Sequence, residues 1–302
     1  MNNLKVSVCG VPFKNPIIAA SGTFGYGKEY EKFFDLSELG GISVKGMTLL
    51  EKAGNPSPRI AETTGGIINA VGLQNPGVEA FLHNELPRLK TKNTVIIANV
   101  AGSTVDEYLR IVERVSASDV DMIEVNISCP NVKEGGMAFG TLPQNVEALT
   151  RQIKARSSKP IIMKLTPNVT NIADNAKAVE NGGGDAVSLI NTLSGMAVNY
   201  KTRRPILANN IGGLSGACVK PIALKMVWQC YNAVKIPIIG MGGISSFTDV
   251  LEFMICGASA VQVGSATLLN PTACYDIAKD LQNYVEENNI DINSLVGSLQ
   301  LN

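Results

Sequence analysis

The chain of 302 residues carries 45% hydrophobic and 17% charged side chains, enough to build a sizeable core, which excludes an intrinsically disordered protein. Its 26 basic residues balance its 26 acidic ones, so no net charge draws it to nucleic acid or to an anionic membrane surface. No apolar run approaches the roughly 18 residues of a membrane span, and the start MNNLKVSVCG lacks a secretory pattern, so a cytoplasmic protein with reduced thiols is expected.

In chain order, eight short runs rich in β-branched residues alternate with longer amphipathic stretches. The runs are IIAASG from Ile17, GISVKG from Gly41, VIIANVAG from Val95, MIEVNIS from Met122, PIIMKL from Pro160, AVSLIN from Ala186, PIIGMGG from Pro237 and AVQVGSA from Ala260. Helix-like segments between them include TVDEYLRIVERV, NVEALTRQIKAR, NIADNAKAVENGG, PIALKMVWQCYNAV and FTDVLEFMICG. Thr104, Asn145 and Asn171 stand where N-caps belong, and glycines close two of the segments. Eight βα units in a chain of this length predict one α/β domain over residues 1–302, a (β/α)8 TIM barrel. A doubly wound open sheet would ordinarily show fewer strands and a G-x-G-x-x-G after the first, and that fingerprint is missing. Two connections, from Lys45 to about residue 93 and from Asn191 to about Lys220, are too long for simple crossovers. Rich in Gly, Asn, Pro and Thr, they are expected to fold over the barrel top as ligand-covering loops.

Active sites of such barrels form at the C-terminal ends of the strands. Here those ends are unusually polar: Ser21, Lys45, Asn99, Asn126 with Ser128 and Cys129, Lys164, Asn191 with Thr192, Gly242 with Gly243, and Gly264 with Ser265. GMGGI and VGSA, ending the seventh and eighth runs, let backbone N–H groups approach a phosphate. The single histidine, His83, falls on a helix-like stretch away from these ends, so no histidine acid–base pair is available there, and a phosphate-bearing cofactor is favoured over a phosphate substrate alone. Lys164 is placed either to form a Schiff base or to hold a fixed positive charge against a ring that becomes anionic on reduction. Asn99, Asn126 and Asn191 each offer a donor and an acceptor, which suits a cyclic amide or ureide edge.

The six cysteines show no C-x-x-C pair, so neither zinc nor an iron-sulfur cluster is expected on this chain. Cys9, Cys230, Cys256 and Cys274 read as small buried hydrophobes. Cys129 differs by position, in a loop after the fourth strand where a thiolate can take a proton from carbon, with Gly135 and Gly136 to let that loop open and close. The KTRR run at 201–204 reads as a solvated loop.

These residues carry a resemblance. The blocks NPIIAASGTFGYG, SVKGMTLLEKAGNPSPRIAET, INAVGLQNPG, IEVNISCPNV, MKLTPNVTNI, INTLSGMAVNYKTRRPILANNIGGLSG and IIGMGGISSFTDVLEFMICGASAVQVGSA occur in order along the chain. Together they resemble the class 1 dihydroorotate dehydrogenases, most of all the catalytic subunits of the NAD-linked class 1B enzymes. The resemblance implies a flavin-binding barrel with one FMN, oxidising dihydroorotate to orotate in pyrimidine (UMP) biosynthesis. It implies Cys129 as the base at C5 while the C6 hydride passes to flavin N5. Lys45, Asn69, Ala70, Val71, Gly72, Leu73, Asn126, Asn131, Asn191 and Thr192 would surround the substrate, Lys45 facing its carboxylate. Ser21, Lys45, Gly46, Asn99, Asn126, Lys164, Ile190, Gly216, Gly242, Gly243, Gly264 and Ser265 would hold FMN.

It further implies a partner subunit carrying FAD and a [2Fe-2S] cluster that passes electrons to NAD, with a homodimer of this chain inside a heterotetramer. The cysteine base sets the chain apart from the membrane-associated class 2 enzymes, which use serine. INAVGLQNPG and KTRRPILAN point to the NAD-linked type over a fumarate-linked class 1A enzyme, and Lys45 points to a carboxylate-bearing substrate over the uracil-type pyrimidines of a related flavin barrel. Met47 stands where the resemblance leads one to expect threonine.

Overall fold

The computed structural model describes residues 4–128 and 139–302. All eight runs form barrel strands: β1 Ile17–Ala19, β2 Gly41–Ser43, β3 Val95–Val100, β4 Met122–Asn126, β5 Ile161–Lys164, β6 Ala186–Leu189, β7 Ile238–Met241 and β8 Ala260–Val263. They are parallel, and they close in sequence order with β8 against β1. The chain therefore folds as a (β/α)8 barrel. A hairpin of Val6–Val8 and Val11–Phe13 precedes it.

Outward-facing residues of the strands pack beneath the helices, and the helices begin where the sequence supplies caps. Thr104 Oγ1 accepts from the Glu107 N–H at 3.2 Å at the head of Val105–Ser116, and Asn171 Oδ1 accepts from the Ala173 N–H at 3.2 Å at the head of Ile172–Asn181. Asn145 does not cap. Pro143 takes the first turn of Pro143–Lys154, because its fixed φ and missing N–H suit that position, and the N-cap falls on Leu142. Gly183 and Gly257 follow two of the helices at φ +83° and +113°, a left-handed exit that other residues rarely adopt. At Phe247–Ile255, Ser246 and Asp249 form a reciprocal capping box.

The two long connections do more than loop over the barrel. Ile60–Thr63, Gly66–Asn69, Gly212–Ser215 and Leu193–Gly195 join into an antiparallel four-stranded sheet. Asn69 pairs with Gly213, so the connection after β2 is stitched to the connection after β6 above the strand ends. The first connection also carries the helical turns of 78–90, where His83 is exposed. KTRR lies at the exposed tip of a small hairpin, Val198–Asn199 with Arg204–Pro205. Cys230 and Cys274 are buried as expected, but Cys9 and Cys256 are only half-buried, and the Cys9 thiol donates to the Asp185 carbonyl at 3.2 Å. Met47 is fully buried against the core, a packing position where an apolar side chain serves. Among the described residues no helix is long and apolar enough to cross a membrane.

Side chains alternate between the two faces of a strand. The inward set near the top of this barrel is polar: Ser43, Asn99, Glu124, Lys164, Ser188 and Gln262 are all buried. Such a layer replaces the branched apolar side chains that ordinarily fill a barrel, and it forms the floor of the site above it.

Candidate active site

A cavity of about 1060 Å³ opens at the C-terminal ends of the strands, beneath the four-stranded sheet. Such a volume lies at the upper end of the range for small-molecule sites and is large enough for a cofactor and a small substrate together. Among the site residues expected from sequence, Ser21, Lys45, Gly46, Asn69, Ala70, Val71, Gly72, Leu73, Asn99, Asn126, Lys164, Ile190, Asn191, Thr192, Gly242, Gly243, Gly264 and Ser265 all line it. Gly216 does not. It stands behind Gly243, where its carbonyl oxygen would meet an added Gly243 Cβ at 2.9 Å, so its contribution is to the wall's backing. Cys129, Asn131, Gly135 and Gly136 lie outside the described residues; Ser128, just before Cys129, lines the cavity.

Each wall follows from local chain geometry. At the end of β4, Asn126 Oδ1 accepts from the Ser128 N–H at 3.1 Å and from Asn191 Nδ2 at 3.1 Å. Its oxygen is thereby engaged, which leaves Nδ2 as a donor for a ligand. Asn191 Oδ1 accepts from the Thr192 N–H at 2.7 Å, so both amides are held by short local bonds.

The loop over the mouth is pinned by two asparagines that the sequence reading missed. Asn55 donates from Nδ2 to the Ala70 carbonyl at 2.9 Å, while its N–H donates to the Val71 carbonyl at 3.0 Å. Asn75 accepts the Gly77 N–H at 2.8 Å and donates to the Leu73 carbonyl at 2.6 Å. Gly72 must be glycine here, because at φ +77° an added Cβ would come within 2.8 Å of the Asn55 N.

Lys45 enters from the end of β2 and is half-buried. Burial pushes its ammonium down from the ordinary lysine range, and the Arg59 guanidinium pushes the same way, with no carboxylate among the described residues acting against them. A cation so placed lowers its energy by taking up an anion.

Lys164 meets a different environment at the end of β5. It is buried, and its Nζ stands 3.8 Å from Oε2 of the fully buried Glu124. Burial acts to raise the Glu124 carboxyl, but Lys164 and hydrogen bonds from Ser188, Asn99 and Gln262 outweigh it and hold the group below the usual carboxylate range. Glu124 and Gln262 were missed because they sit inside strands and not at their ends. The signal was present: in IEVN and VQV a polar residue sits on the inward phase of a period-2 pattern.

The end wall is built by β7 and β8. Gly242 and Gly243 have φ +124° and +79°, and Cβ atoms there would fall 2.9 Å from Ala223 Cβ and 2.8 Å from Lys220 Cβ. At Gly264 an added Cβ would meet only Ala20 Cβ, at 3.6 Å, so the glycine leaves space on the cavity side. Ser265 adds a hydroxyl beside it.

The family profile described as dihydroorotate dehydrogenase matches residues 3–285. The chain belongs to the dihydroorotate dehydrogenase family. Among relatives of known name, a dihydroorotate dehydrogenase B (NAD(+)), catalytic subunit, of Thermoanaerobacter pseudethanolicus is 52% identical over 300 residues, covering 99% of both chains. The protein of the same name from Caldicellulosiruptor saccharolyticus is 53% identical over 300 residues, covering 99% of this chain and all of its own. That of Geotalea uraniireducens is 52% identical over 299 residues, with 98% of each chain covered. As a dihydroorotate dehydrogenase family member the chain is an oxidoreductase, and the cavity at the barrel top is its candidate active site.

Proposed function

We propose that the chain is the catalytic subunit of an NAD-linked dihydroorotate dehydrogenase, oxidising dihydroorotate to orotate in pyrimidine biosynthesis. The observation that carries this reading is Lys45, a half-buried cation without an anionic partner among the described residues, facing a cavity ringed by the amides of Asn69, Asn126 and Asn191. A carboxylate on a cyclic ureide satisfies both features: the carboxylate meets the ammonium, and the ring N–H and C=O groups meet the amides. The names of the relatives, dihydroorotate dehydrogenase B (NAD(+)), catalytic subunit, support the NAD-linked type.

The residues present fit FMN. Gln262 Oε1 is buried at the cavity floor and unpartnered among the described residues, Lys164 offers a positive charge on the same floor, and the wall at Gly242, Gly243 and Gly264 is cleared of side chains, with Ser265 available to a phosphate. Ser21, Gly46, Asn99, Asn126 and Ile190 complete that half of the cavity. FMN, when bound, supplies the two-electron acceptor for the hydride from substrate C6.

The chain's own residues do the rest. Lys45 binds and orients the carboxylate. Asn126 and Asn191 fix the ring with Thr192 beside them, and the family resemblance adds Asn131 as a substrate contact. The thiolate of Cys129 removes the proton from C5, and the sheet over the cavity with the 69–73 loop excludes water, which strengthens each of these electrostatic contacts. Lys164, next to Glu124, acts as a fixed charge and not as a Schiff-base amine. Electrons leave through a partner subunit with FAD and a [2Fe-2S] cluster, in a heterotetramer built on a homodimer of this chain.

The test is co-expression with the candidate electron-transfer subunit. Dihydroorotate is expected to bleach the flavin absorbance of the isolated chain, and NAD reduction to require the second subunit. Robust fumarate reduction by the chain alone would assign it to the fumarate-linked type instead.

A further inference from the structure

Glu124 is the centre of a hydrogen-bond network that reaches around the barrel. Its Oε2 accepts from Ser43 Oγ at 2.9 Å and from Asn99 Nδ2 at 2.5 Å, and its Oε1 accepts from Ser188 Oγ at 2.7 Å and from Gln262 Nε2 at 2.6 Å. Lys164 is the nearby cation, at 3.8 Å. Six strands thus send a polar side chain to one point.

A carboxylate without its proton only accepts. Each neighbour must therefore turn a donor toward it, and for an amide this decides where the other end goes. With Asn99 Nδ2 and Gln262 Nε2 committed to Glu124, their oxygens are turned away from it. Gln262 Oε1 is buried with no partner among the described residues. Asn99 Oδ1 faces Gly46, where an added Cβ would come within 2.8 Å of it, so the absence of a side chain at that glycine keeps the oxygen open. Asn99, Gln262, Gly46 and Lys164 all line the cavity. The floor is thus one cationic donor set beside two carbonyl acceptors, a pattern imposed by a residue that does not itself line the cavity.

We propose that Glu124 is a positioning residue that fixes the amide orientations of Asn99 and Gln262, so that the floor selects a ring edge presenting an N–H beside a carbonyl, with Gln262 as an acceptor for that N–H. This rests on the reading of the cavity as a flavin site, where the N3–H of the ring is the donor. An amide at position 124 would carry hydrogens of its own, and the neighbouring amides would be free to reverse.

The experiment strips flavin from the purified holoenzyme and titrates the apoprotein with FMN and with 3-methyl-FMN, which lacks the N3–H, following flavin fluorescence. Wild type is expected to prefer FMN by tenfold or more. Glu124→Gln and Gln262→Met are each expected to shrink that preference at least fivefold, and both are expected to shift the flavin reduction potential. Gln262→Met leaves Glu124 three of its hydrogen-bond donors and tests Gln262 as the acceptor on its own; because Glu124 can act only through an amide that reads the N–H, an unchanged preference in Gln262→Met overturns the proposal even where Glu124→Gln does not fold. Wild type that binds FMN and discriminates, with both folded variants discriminating equally well, would overturn the role of Glu124 while leaving the flavin site intact. Wild type that binds no FMN would overturn the flavin reading itself.

Discussion

Asn191 donates from Nδ2 to Oδ1 of Asn126 at 3.1 Å, tying the end of the sixth barrel strand to the end of the fourth across the cavity. One amide thereby sets the orientation of the other. Asn126→Ala is expected to lower kcat/KM for dihydroorotate by roughly 10- to 100-fold, the cost of a lost hydrogen bond to a polar ligand. Asn191→Ala is expected to do nearly as much through the released Asn126, and the double variant to cost less than the sum of the two. Steady-state kinetics on the three variants test this; strict additivity would mean that the two amides act separately.

Lys45→Met is expected to raise KM for dihydroorotate and lower kcat/KM by roughly 100-fold or more, since a desolvated charge pair is lost. Flavin content is expected to fall little, because Lys164 and the glycine wall remain. Parallel measurement with a pyrimidine lacking the carboxylate is the control. That substrate should be affected far less, and an equal loss on both would remove the carboxylate from the assignment.

Cys129→Ala is expected to lower turnover by about 10²- to 10⁴-fold, the usual worth of a positioned general base. The base must be deprotonated to act, so wild-type kcat/KM should rise with pH through the thiol's titration. Cys129→Ser should keep some activity, with this acid limb moved to higher pH, because a hydroxyl loses its proton less readily. A pH profile unchanged in the serine variant would rule the thiol out as the base.

Asp249 supports the site from behind. Its carboxylate accepts from Lys220 Nζ at 2.6 Å and from the Ser245 and Ser246 N–H groups at 2.8 and 2.9 Å, and Lys220 backs Gly243. Burial acts to raise its pKa, but these donors hold it below the usual carboxylate range. The folded value is lower than the unfolded one, so the stability it contributes is present above the unfolded pKa and is lost as pH falls through the folded pKa. Asp249→Asn is expected to cost about 1–2 kcal/mol at neutral pH, a Tm drop of about 2–4 °C per kcal/mol, and less in strong acid. Thermal melts across that range check it.

Much of this molecule is legible in its sequence because its periodicities are undisturbed. All eight barrel strands lie within the runs of β-branched residues, and Thr104 and Asn171 cap the helices they precede. Asn145 misleads because a proline two residues upstream competes for the helix start and wins by geometry. The roof over the cavity escapes notice for another reason. Both segments are only four residues long, Gly66–Asn69 with two β-branched residues and Gly212–Ser215 with none, and they lie far apart in the chain, so neither stands out as a strand. Strand ends reveal most of the cavity wall, but Glu124 and Gln262 lie one pleat deeper, where reading the ends alone cannot reach.

The pairing of Asn69 with Gly213 joins segments separated by nearly half the chain. Contacts of such long sequence separation are slow to form, because the loop between them must first be closed. As the polypeptide leaves the ribosome, the first four barrel strands emerge long before Gly212–Ser215 can meet the roof's other half. The roof is therefore completed only after six of the eight barrel strands have been made, and a fragment ending before those residues lacks half of the sheet that covers the pocket.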